Sequence, residues 1–553
     1  MSDHKNLKNI ARLSPEQTVV IGQKPHDWNN ASWDQQKVIS YNNYQYVPYW
    51  NDDHQLVLAR RNLEAENVTI LEFDHKLSRP DDAHNSTCVG ISPIDGRLHL
   101  SFDHHNQPLN YMHSKADFLD SPPEELSRDQ FSEVGGIFED GIESQVTYPR
   151  FFSDSSGMLY FFYRSGSAGS GDSYLHKHQA DGNTWTRVGK VFSGDGQYEG
   201  FLGTFDSRNA YLHDLTFDEN DRLHATWTYR ETGGFNSNHD VHYAYSDDRG
   251  TTWMNNDGTQ IADLDNADPI RVDDPGIVVY EVPQNYWLIN QGTMTLDARR
   301  QPHIFTSQST NQTMEKVNTD NPVSEANRHF VHFWRTPDGT WHREFIDDTD
   351  VDIVHYFDEQ PNRGDIMFDD RQNLHVYSVM GGTVYAAVAT MEEDWTDWQI
   401  YRLLDGIEGG SGWKRDKRRW ENERVLSFAA TRKDDENRWF EVQDYKLVNE
   451  TTSQKPAISV SVETSSGQPT ARVEVTEAVG AQRYDCYRRV ANSDDEWSLL
   501  ASDVGEGTFV HSIEDTALVS GTTYEYRVAA AFEPENERFS DPVRLEAVAG
   551  QDR

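Results

Sequence analysis

Apolar and polar residues alternate along most of the chain, in short runs separated by Gly, Asp or Asn turns. Alternation over about four to eight residues indicates a β-strand with one buried face. No long segment keeps the helical period of about 3.6 residues between credible caps. The pattern therefore predicts an all-β protein built from seven similar units. These units are residues 46–73, 95–114, 155–188, 220–254, 298–346, 371–400 and 423–447.

One short phrase recurs in these units, where a turn leads into a strand. It reads DGRLH at residues 95–99, NDRLH at 220–224, RQPH at 300–303 and RQNLH at 371–375. Internal repeats at spacings of roughly 40 to 70 residues are typical of propeller blades. We therefore predict a closed ring of antiparallel sheets, a seven-bladed β-propeller, over residues 1–450.

A second repeated element reads SDDRGTTW at residues 246–253, with weaker versions at 181–185 and 338–341. It resembles the Asp-box of sialidase-type propellers, where the Asp caps a hairpin turn and the Trp packs between strands. The resemblance implies an architectural role and not a catalytic one.

The composition changes near residues 451–456, and residues 457–553 form seven further short strand-like runs. The segment DTALVSGTTYEYRV at 515–528 resembles the fibronectin type III signature, in which the first Tyr of the Tyr-x-Tyr pair, here Tyr524, anchors a corner of a β-sandwich. The resemblance implies a small second domain that serves as a spacer or docking module.

Acidic residues dominate the 553-residue chain, with 92 Asp and Glu against 50 Lys and Arg and a formal charge of -42. Such a charge disfavours nucleic acid and anionic membranes as partners. It suits a salty, marine habitat, because salt screens self-repulsion. No apolar run of about 18 residues occurs and no signal-peptide core is visible at the start. Cys88 and Cys486 fall in different predicted domains, so we expect no disulfide framework. We also expect the protein to be a monomer.

Histidines are unusually dense in two short segments, DAHN at 82–85 and DGRLHLSFDHH at 95–105. Packing does not require four imidazoles there, so we predict a functional pocket that includes His84. Adjacent strand residues point to opposite faces, and only one of His104 and His105 can then enter this pocket. The sequence favours His105, and His104 stays as the alternative.

Two arginines occupy equivalent places at the ends of aromatic strands. Arg164 follows LYFFY at 159–163, and Arg230 follows WTY at 227–229. Two guanidinium groups in such places can bind one anion together, although each alone could equally pair with one of the many carboxylates. Tyr148, in VTYPRF at 146–151, is the phenol that we group with them.

Two features leave a structural metal open. His239 and His242 are an i, i+3 pair, which faces opposite sides of a regular strand, and no Cys or third His follows at ligand spacing. The acidic run DDTD at 347–350 lacks the ordered ligand spacing of a calcium loop. The sequence therefore leaves open whether the protein binds structural zinc or calcium. We expect that the chemistry requires no cofactor.

The histidine segment reads DG-x-LH-x-S-x-D-x-HN-x-PL-x-Y over residues 95–111. Together with W-x-x-R-E at 227–231 and NQ at 290–291, it resembles the BNR-repeat polysaccharide lyases that degrade ulvan. The resemblance spans residues 30–450 and implies β-elimination at a uronic acid of an anionic, sulfated rhamnose-uronate polymer, which leaves a 4,5-unsaturated uronate end. It also implies a secreted or periplasmic enzyme whose signal peptide is absent from this chain.

The resemblance implies a role for each residue of the group. His84 is the base for the C5 proton, and Tyr148 is the acid for the departing O4. Arg164 and Arg230 neutralise the carboxylate, and His105 orients the substrate or assists proton transfer. For glucuronate, Tyr148 could serve as both acid and base, and both schemes stay open. Further substrate contacts are expected from His104, Tyr211, His239 and Asn290.

Two other functions remain as alternatives. A rhamnosidase-like or sialidase-like glycoside hydrolase could use the same propeller, but a sialidase needs a Tyr/Glu nucleophile pair, an acidic Asp and three arginines that this sequence does not assemble. A carbohydrate-binding propeller without catalysis is the third reading. The sequence also leaves open which uronate the enzyme prefers and whether it cleaves within the polymer or from its end.

Overall fold

The protein was analysed as a computed structural model. It describes residues 11–29, 31, 33, 36–65, 67–135, 144–312, 328–346, 363–380, 382–404, 406–408, 414–433, 437–449, 457–465, 468–476, 483–491, 497–503, 510–533, 536–539 and 542–547.

The chain divides into two compact units. The larger comprises Pro15–Ile400 and Gly406–Lys446, and the smaller comprises Met1–Ser14, Tyr401–Asp405 and Leu447–Arg553. Within the described residues there is one α-helix, α1 (Lys417–Glu423), and none of their helices has the length and apolar character needed to cross a membrane. Cys88 and Cys486 are buried free thiols in different units, as predicted.

The first half of the larger unit contains, in chain order, strands β1 (Ala11–Gln23), β2 (Ile39–Tyr41), β3 (Tyr44–Trp50), β4 (Gln55–Asn62), β5 (Val68–Lys76), β6 (Thr87–Ser92), β7 (Arg97–Phe102), β8 (His105–Gln107), β9 (Tyr111–His113), β10 (Val146–Ser153), β11 (Leu159–Ser165), β12 (Ser173–Gln179), β13 (Thr184–Phe192), β14 (Asp195–Gly200), β15 (Gly203–Ser207), β16 (Asn209–Phe217) and β17 (Leu223–Arg230). The second half contains β18 (Asn238–Ser246), β19 (Thr252–Met254), β20 (Gln260–Asp263), β21 (Val278–Tyr280), β22 (Thr293–Leu296), β23 (Pro302–Ser309), β24 (Arg328–Arg335), β25 (Trp341–Phe345), β26 (Gly364–Phe368), β27 (Leu374–Met380), β28 (Thr383–Ala389), β29 (Trp398–Leu404), β30 (Ile407–Glu408), β31 (Val425–Lys433) and β32 (Arg438–Asn449). Short 3-10 helices cover Arg128–Gln130, Phe235–Ser237, Leu264–Asn266 and Met391–Glu393.

These strands form successive antiparallel sheets, and one strand of each sheet contacts one strand of the next. The sheets have the orders β2-β3-β4-β5, β6-β7-β9, β8-β10-β11-β12-β13, β16-β17-β18-β19-β20, β22-β23-β24-β25 and β26-β27-β28-β29. Contacts link β3 to β6, β6 to β10, β10 to β16, β16 to β22 and β22 to β26. Strand β1 from the start of the chain joins β32, β31 and β30 from its later part. The predicted all-β propeller is confirmed, and its count of seven blades stays a prediction.

Aromatic side chains, which are 12% of the residues, fill space between the sheets. Trp227 and Trp253 are fully buried together with Leu175 of the preceding sheet. In the predicted Asp-box, Asp248 accepts a hydrogen bond from the Thr252 amide at 2.8 Å, and Trp253 Nε1 donates to the Gly250 carbonyl at 3.0 Å. This element therefore stabilises a turn and the core.

The recurring histidine phrase has a structural cause. In three sheets, one oxygen of an Asp accepts the amides two and four residues later, and the other faces a buried histidine six residues later. For Asp369, the amides are those of Arg371 at 2.8 Å and Asn373 at 2.9 Å, and His375 Nε2 lies 3.2 Å away. We call this arrangement the Asp–His turn. Its three examples are Asp218 with His224, Asp297 with His303, and Asp369 with His375.

The smaller unit is a β-sandwich. Its strands are β33 (Ala457–Ser465), β34 (Gln468–Thr476), β35 (Arg483–Val490), β36 (Ser498–Asp503), β37 (Val510–Asp515), β38 (Thr523–Glu533), β39 (Asn536–Phe539) and β40 (Val543–Glu546). They form the sheets β33-β34-β37 and β36-β35-β38-β39, with β40 beside β38, and the core includes Val473, Cys486 and Val528 from both sheets.

The phenol of Tyr524 accepts a hydrogen bond from the Val519 amide at 3.1 Å, which is the kind of contact expected of a corner tyrosine. The sandwich is confirmed. Its fibronectin type III kinship, its role as a spacer or docking module, and the predicted domain limits of 1–450 and 457–553 stay predictions.

Candidate active site

Three neighbouring strands bring the predicted catalytic residues together. Strand β10 lies between β8 and β11, so that Thr147 pairs with His105 on one side and with Arg164 on the other. Strands β10 and β11 follow one another in a hairpin, and β8 comes from an earlier part of the chain. The register therefore places the His105 imidazole, the residue after Thr147 and the Arg164 guanidinium side by side.

That next residue is Tyr148, which lies on a β-bulge. The β10–β11 register shifts between Thr147 and Arg150, and Tyr148 has a φ of 56°. A left-handed backbone is unfavourable for a tyrosine and persists only where surrounding contacts hold it. Bulges redirect side chains at functional sites, and here the Tyr148 ring centroid lies 6.0 Å from that of His84 and 5.0 Å from Arg164 Cζ.

One carboxylate holds both predicted histidines. His84 Nδ1 donates to Asp82 Oδ1 at 2.9 Å, and His105 Nδ1 donates to Asp82 Oδ2 at 2.6 Å. An ionised carboxylate only accepts hydrogen bonds, so each imidazole carries its proton on Nδ1 and presents the lone pair of Nε2. Asp82 thereby fixes the tautomer and the orientation of two bases at once.

The two imidazoles are stacked under an indole. The ring centroids of His84 and His105 are 4.0 Å apart with an interplanar angle of 18°. Trp33 stacks on the other face of His84 at 4.6 Å, also at 18°. This stack limits rotation of the rings and shields them from solvent on one side.

Cationic side chains lie opposite the imidazoles. Arg164 is 3% exposed, and its Nη1 donates to the phenol of Tyr211 at 2.9 Å. Its Nε and Nη2 have no hydrogen-bond partner among the described residues. Arg230 Cζ lies 5.3 Å from the Tyr211 ring centroid, and Arg363 Cζ lies 5.7 Å from that of Trp33. Two buried N–H donors of Arg164 are thus available to an anion.

Local burial and charge set the protonation states. Burial and Tyr211 raise the pKa of Tyr148 to about 12, although Arg164 and two further arginines lower it. Burial and the neighbouring His84 lower the pKa of His105. Burial raises the pKa of Asp82, but hydrogen bonds from both histidines outweigh burial and lower it overall. At neutral pH the group therefore contains a protonated phenol, a carboxylate and a neutral His105 imidazole.

Seven of the nine predicted site residues lie in or next to this group. His84, His105, Tyr148 and Arg164 form its centre, and Tyr211 and Arg230 flank it. Asn290 is linked to the site because its carbonyl accepts a hydrogen bond from Arg363 Nε at 2.5 Å.

The structure does not place the other two, His104 and His239, in the group. His104 Nε2 accepts a hydrogen bond from the Asn110 amide at 2.8 Å, and burial lowers the pKa of His104 to about 3. This histidine is neutral and holds the local backbone. His239 lies between two carboxylates, with Nε2 2.9 Å from Glu231 Oε1 and Nδ1 2.9 Å from Asp240 Oδ2.

The expectation that His239 and His242 face opposite sides is wrong. The β17–β18 register shifts between Trp227 and Tyr229, whose partners are His242 and His239, and Asp240 between them has a φ of 55°. A bulge breaks the strict alternation of the strand. One ligand atom each of His239, Asp240 and His242 consequently lies within 4.8 Å of the others, a set that could hold zinc. Asp82, His84 and His105 form another such set. The acidic run at 347–350 lies outside the described residues.

Sequence reasoning assigned no role to Asp82, Trp33 or Arg363. Asp82 had a local signal, because it lies two residues before His84. Trp33 and Arg363 lie far away in the sequence and had none.

The chain is a β-propeller with a histidine-tyrosine-arginine site, and comparison with known proteins defines it further. The model of the BNR repeat-containing family matches residues 44–349, more than half of the chain. The chain belongs to this family.

Known relatives carry one activity in their names. "Ulvan lyase, long isoform" from Alteromonas sp. (strain LOR) is 24% identical over 398 residues, covering 64% of this chain and 37% of the relative. "Ulvan lyase, short isoform" from the same strain is 24% identical over 304 residues, covering 46% and 56% respectively. The chain thus spans about a third to a half of these relatives. The crystal structure of polysaccharide lyase Uly1 shares the fold with a TM-score of 0.58 at 16% identity, covering 79% of this chain and 100% of that one.

Proposed function

We propose that this protein is a polysaccharide lyase that cleaves ulvan by β-elimination at a uronic acid. The observation that carries the proposal is the shared carboxylate of Asp82, which orients His84 and His105 towards Tyr148 beside the free donors of Arg164. The names of the relatives support the same substrate.

Arg164 would bind the uronate carboxylate. The C5 proton is weakly acidic until this carboxylate is neutralised, and negative charge then develops on it as the proton leaves. Buried donors that need not reorganise stabilise such charge effectively. Nε and Nη2 of Arg164, which have no hydrogen-bond partner among the described residues, supply them, and Arg230 and Arg363 add positive charge nearby.

His84 would remove the C5 proton through Nε2. The electron pair of the C5–H bond forms the C4–C5 double bond, and the C4–O4 bond breaks. Asp82 accepts a hydrogen bond from Nδ1–H, which keeps its proton, and stabilises the imidazolium that forms. His105, held by the same carboxylate, would orient the sugar or assist the transfer.

Tyr148 would protonate the departing O4. With a pKa raised to about 12, its phenol keeps its proton at neutral pH and can donate it. This protonation state supports the scheme in which His84 is the base over the one in which a Tyr148 phenolate serves both roles. An unsaturated uronate end is the product in either scheme.

The decisive assay follows ultraviolet absorbance and reducing ends together on ulvan. A lyase produces both, because the C4–C5 double bond absorbs, whereas a hydrolase produces reducing ends alone. Tyr148→Phe should abolish the absorbance increase while ulvan binding persists. Tyr245→Phe, a matched change beside Arg222 outside the site, should retain activity. Binding without turnover in the wild type would support the carbohydrate-binding alternative.

We also propose where the enzyme acts. A sulfated algal-type polymer cannot enter a cell intact, so the protein would act as a secreted or periplasmic enzyme in a marine habitat. The acidic chain, with its formal charge of -42, fits salt water, where repulsion from the anionic substrate is screened.

A further inference from the structure

A second histidine group lies apart from the candidate active site, where neighbouring sheets meet. Asp95 and His99 come from the β6–β7 turn and β7, and His178 comes from β12 of the next sheet. One ligand atom of each lies within 4.8 Å of the other two. His99 and His178 are 0% and 1% exposed, and their ring centroids are 4.8 Å apart.

His99 and Asp95 each have a buried polar atom without a hydrogen-bond partner among the described residues. His99 Nδ1 bonds the phenol of Tyr111 at 2.7 Å, whereas its buried Nε2 has no partner among the described residues. Asp95 Oδ2 accepts from Arg97 Nε at 2.9 Å, and in the same described set its buried Oδ1 has no partner. Buried polar atoms without partners cost free energy and call for an explanation.

A chain of hydrogen bonds fixes the tautomer of His178. His113 Nδ1 donates to the Ser114 carbonyl at 2.8 Å, so His113 Nε2 accepts from Asn183 Nδ2 at 2.9 Å. The amide oxygen of Asn183 then accepts from His178 Nε2 at 3.2 Å. His178 is left with its lone pair on Nδ1, which is the state a metal ligand requires.

The repeats of the propeller show that this group departs from the common pattern. In each Asp–His turn, the Nε2 of the recurring histidine faces an Asp six residues earlier, as His375 faces Asp369 at 3.2 Å. For His99 the residue six earlier is Pro93. The usual partner is therefore missing, and Asp95 and His178 are the ligand-type side chains beside His99 instead.

We propose that Asp95, His99 and His178 form a zinc-class metal site that joins two adjacent sheets. Two neutral imidazoles and one carboxylate are ligands typical of zinc, and water would complete a tetrahedron. Bonds of about 2 Å place tetrahedral ligand atoms about 3.3 Å apart, so modest side-chain rotation closes the group. Tyr111 and Asn183 hold the outer nitrogens of the imidazoles, as partners of metal-bound histidines do.

The test is a titration of the metal-free full chain with Zn²⁺ alone, followed by calorimetry and metal analysis. His178→Gln removes one ligand. His176→Gln is the matched control, because this histidine is also buried on β12 but belongs to none of the candidate metal groups of the described residues. Asp95→Asn is a second variant that keeps the side-chain shape and is partly exposed, so the proposal stays testable if His178→Gln fails to fold.

We expect the wild type and His176→Gln to bind one more equivalent of zinc than His178→Gln and Asp95→Asn. Their apparent melting temperature should rise with zinc by an increment that both ligand variants lack. Co²⁺ in the wild type should give the visible absorption of a tetrahedral nitrogen-oxygen site, lost in Asp95→Asn. Equal zinc stoichiometry and equal thermal shifts in wild type and Asp95→Asn would overturn the proposal.

Discussion

Replacing Asp82 by Asn tests the central feature of the proposed active site. The carboxylate accepts hydrogen bonds from His84 Nδ1 at 2.9 Å and from His105 Nδ1 at 2.6 Å. An Asn amide offers one oxygen and one NH₂ group in place of two oxygens. At least one imidazole must then change its tautomer and present an N–H where the lone pair of Nε2 was needed.

The size of the effect follows from the role of a correctly oriented base. General base catalysis contributes about 10²- to 10⁴-fold, so Asp82→Asn should lower kcat by this factor, equivalent to about 3 to 5 kcal/mol of transition-state stabilisation. Substrate binding through Arg164 should change little, and KM should therefore stay within about threefold of the wild type. The folded structure should persist, since Asp82 is only half-buried.

The pH profile adds a signature that a merely structural role would lack. The Asp82 hydrogen bond and charge raise the pKa of His105, against burial and His84, which lower it. Their removal should lower that pKa further, so protonation of His105 should weaken kcat/KM only at lower pH, while the plateau that depends on the base His84 falls.

The assay is the initial rate of absorbance increase on ulvan between pH 5 and 9, with Asp81→Asn as a control of equal charge change at an exposed neighbour. The reasoning fails if Asp82→Asn keeps kcat within about threefold, or if Asp81→Asn loses as much activity as Asp82→Asn.

Three further predictions concern charge and burial. Arg164→Lys should lower kcat/KM by about 10- to 100-fold, because an ammonium group cannot reproduce the planar fork of the guanidinium. Steady-state kinetics measure this change, and an unchanged kcat/KM would contradict the role given to Arg164. His104→Ala should lower the free energy of unfolding by about 1 to 3 kcal/mol, because the Asn110 amide loses its acceptor; chemical denaturation measures this, and an unchanged midpoint would contradict the assigned role. The free energy of unfolding should fall as the pH drops below about 6.5. Burial lowers the pKa of several histidines to about 3 in the folded protein, so between these pH values their side chains take up protons only in the unfolded chain. Thermal melts from pH 7.5 to 4.5 measure this loss of stability, and a melting temperature that does not change with pH would refute it. These histidines are His104, His176, His213 and His242.

Several parts of this structure were predictable because their causes are local. Alternation of period two produced the strands, and the turn chemistry around Asp248 and Trp253 produced the Asp-box. Alternation predicted that only one of His104 and His105 enters the pocket, and the structure separates them, with His105 on Asp82 and His104 on the Asn110 amide. These inferences needed only the few residues on either side of each position.

The remaining features depend on irregular backbone and on distant partners. Bulges at Tyr148 and Asp240 break the period of two, so the phenol enters the site and His239 approaches His242, which alternation had excluded. A bulge is stabilised by contacts across the sheet, and no local pattern encodes it. Trp33 and Arg363 reach the site from distant parts of the chain and left no trace in the spacing of residues.

The sequence by itself determined that the chain folds into repeated sheets, because strand period and turns act over short range. It predicted the site residues through their residue types and through the resemblance to polysaccharide lyases. Only the tertiary structure decided how those side chains meet. Strand register brings Tyr148 and Arg164 beside His105, the loop between β5 and β6 brings His84 to them, and one carboxylate, Asp82, sets both imidazole tautomers. Such distances depend on tertiary contacts, since β8, β10 and β11 form one sheet and His84 reaches it from outside that sheet.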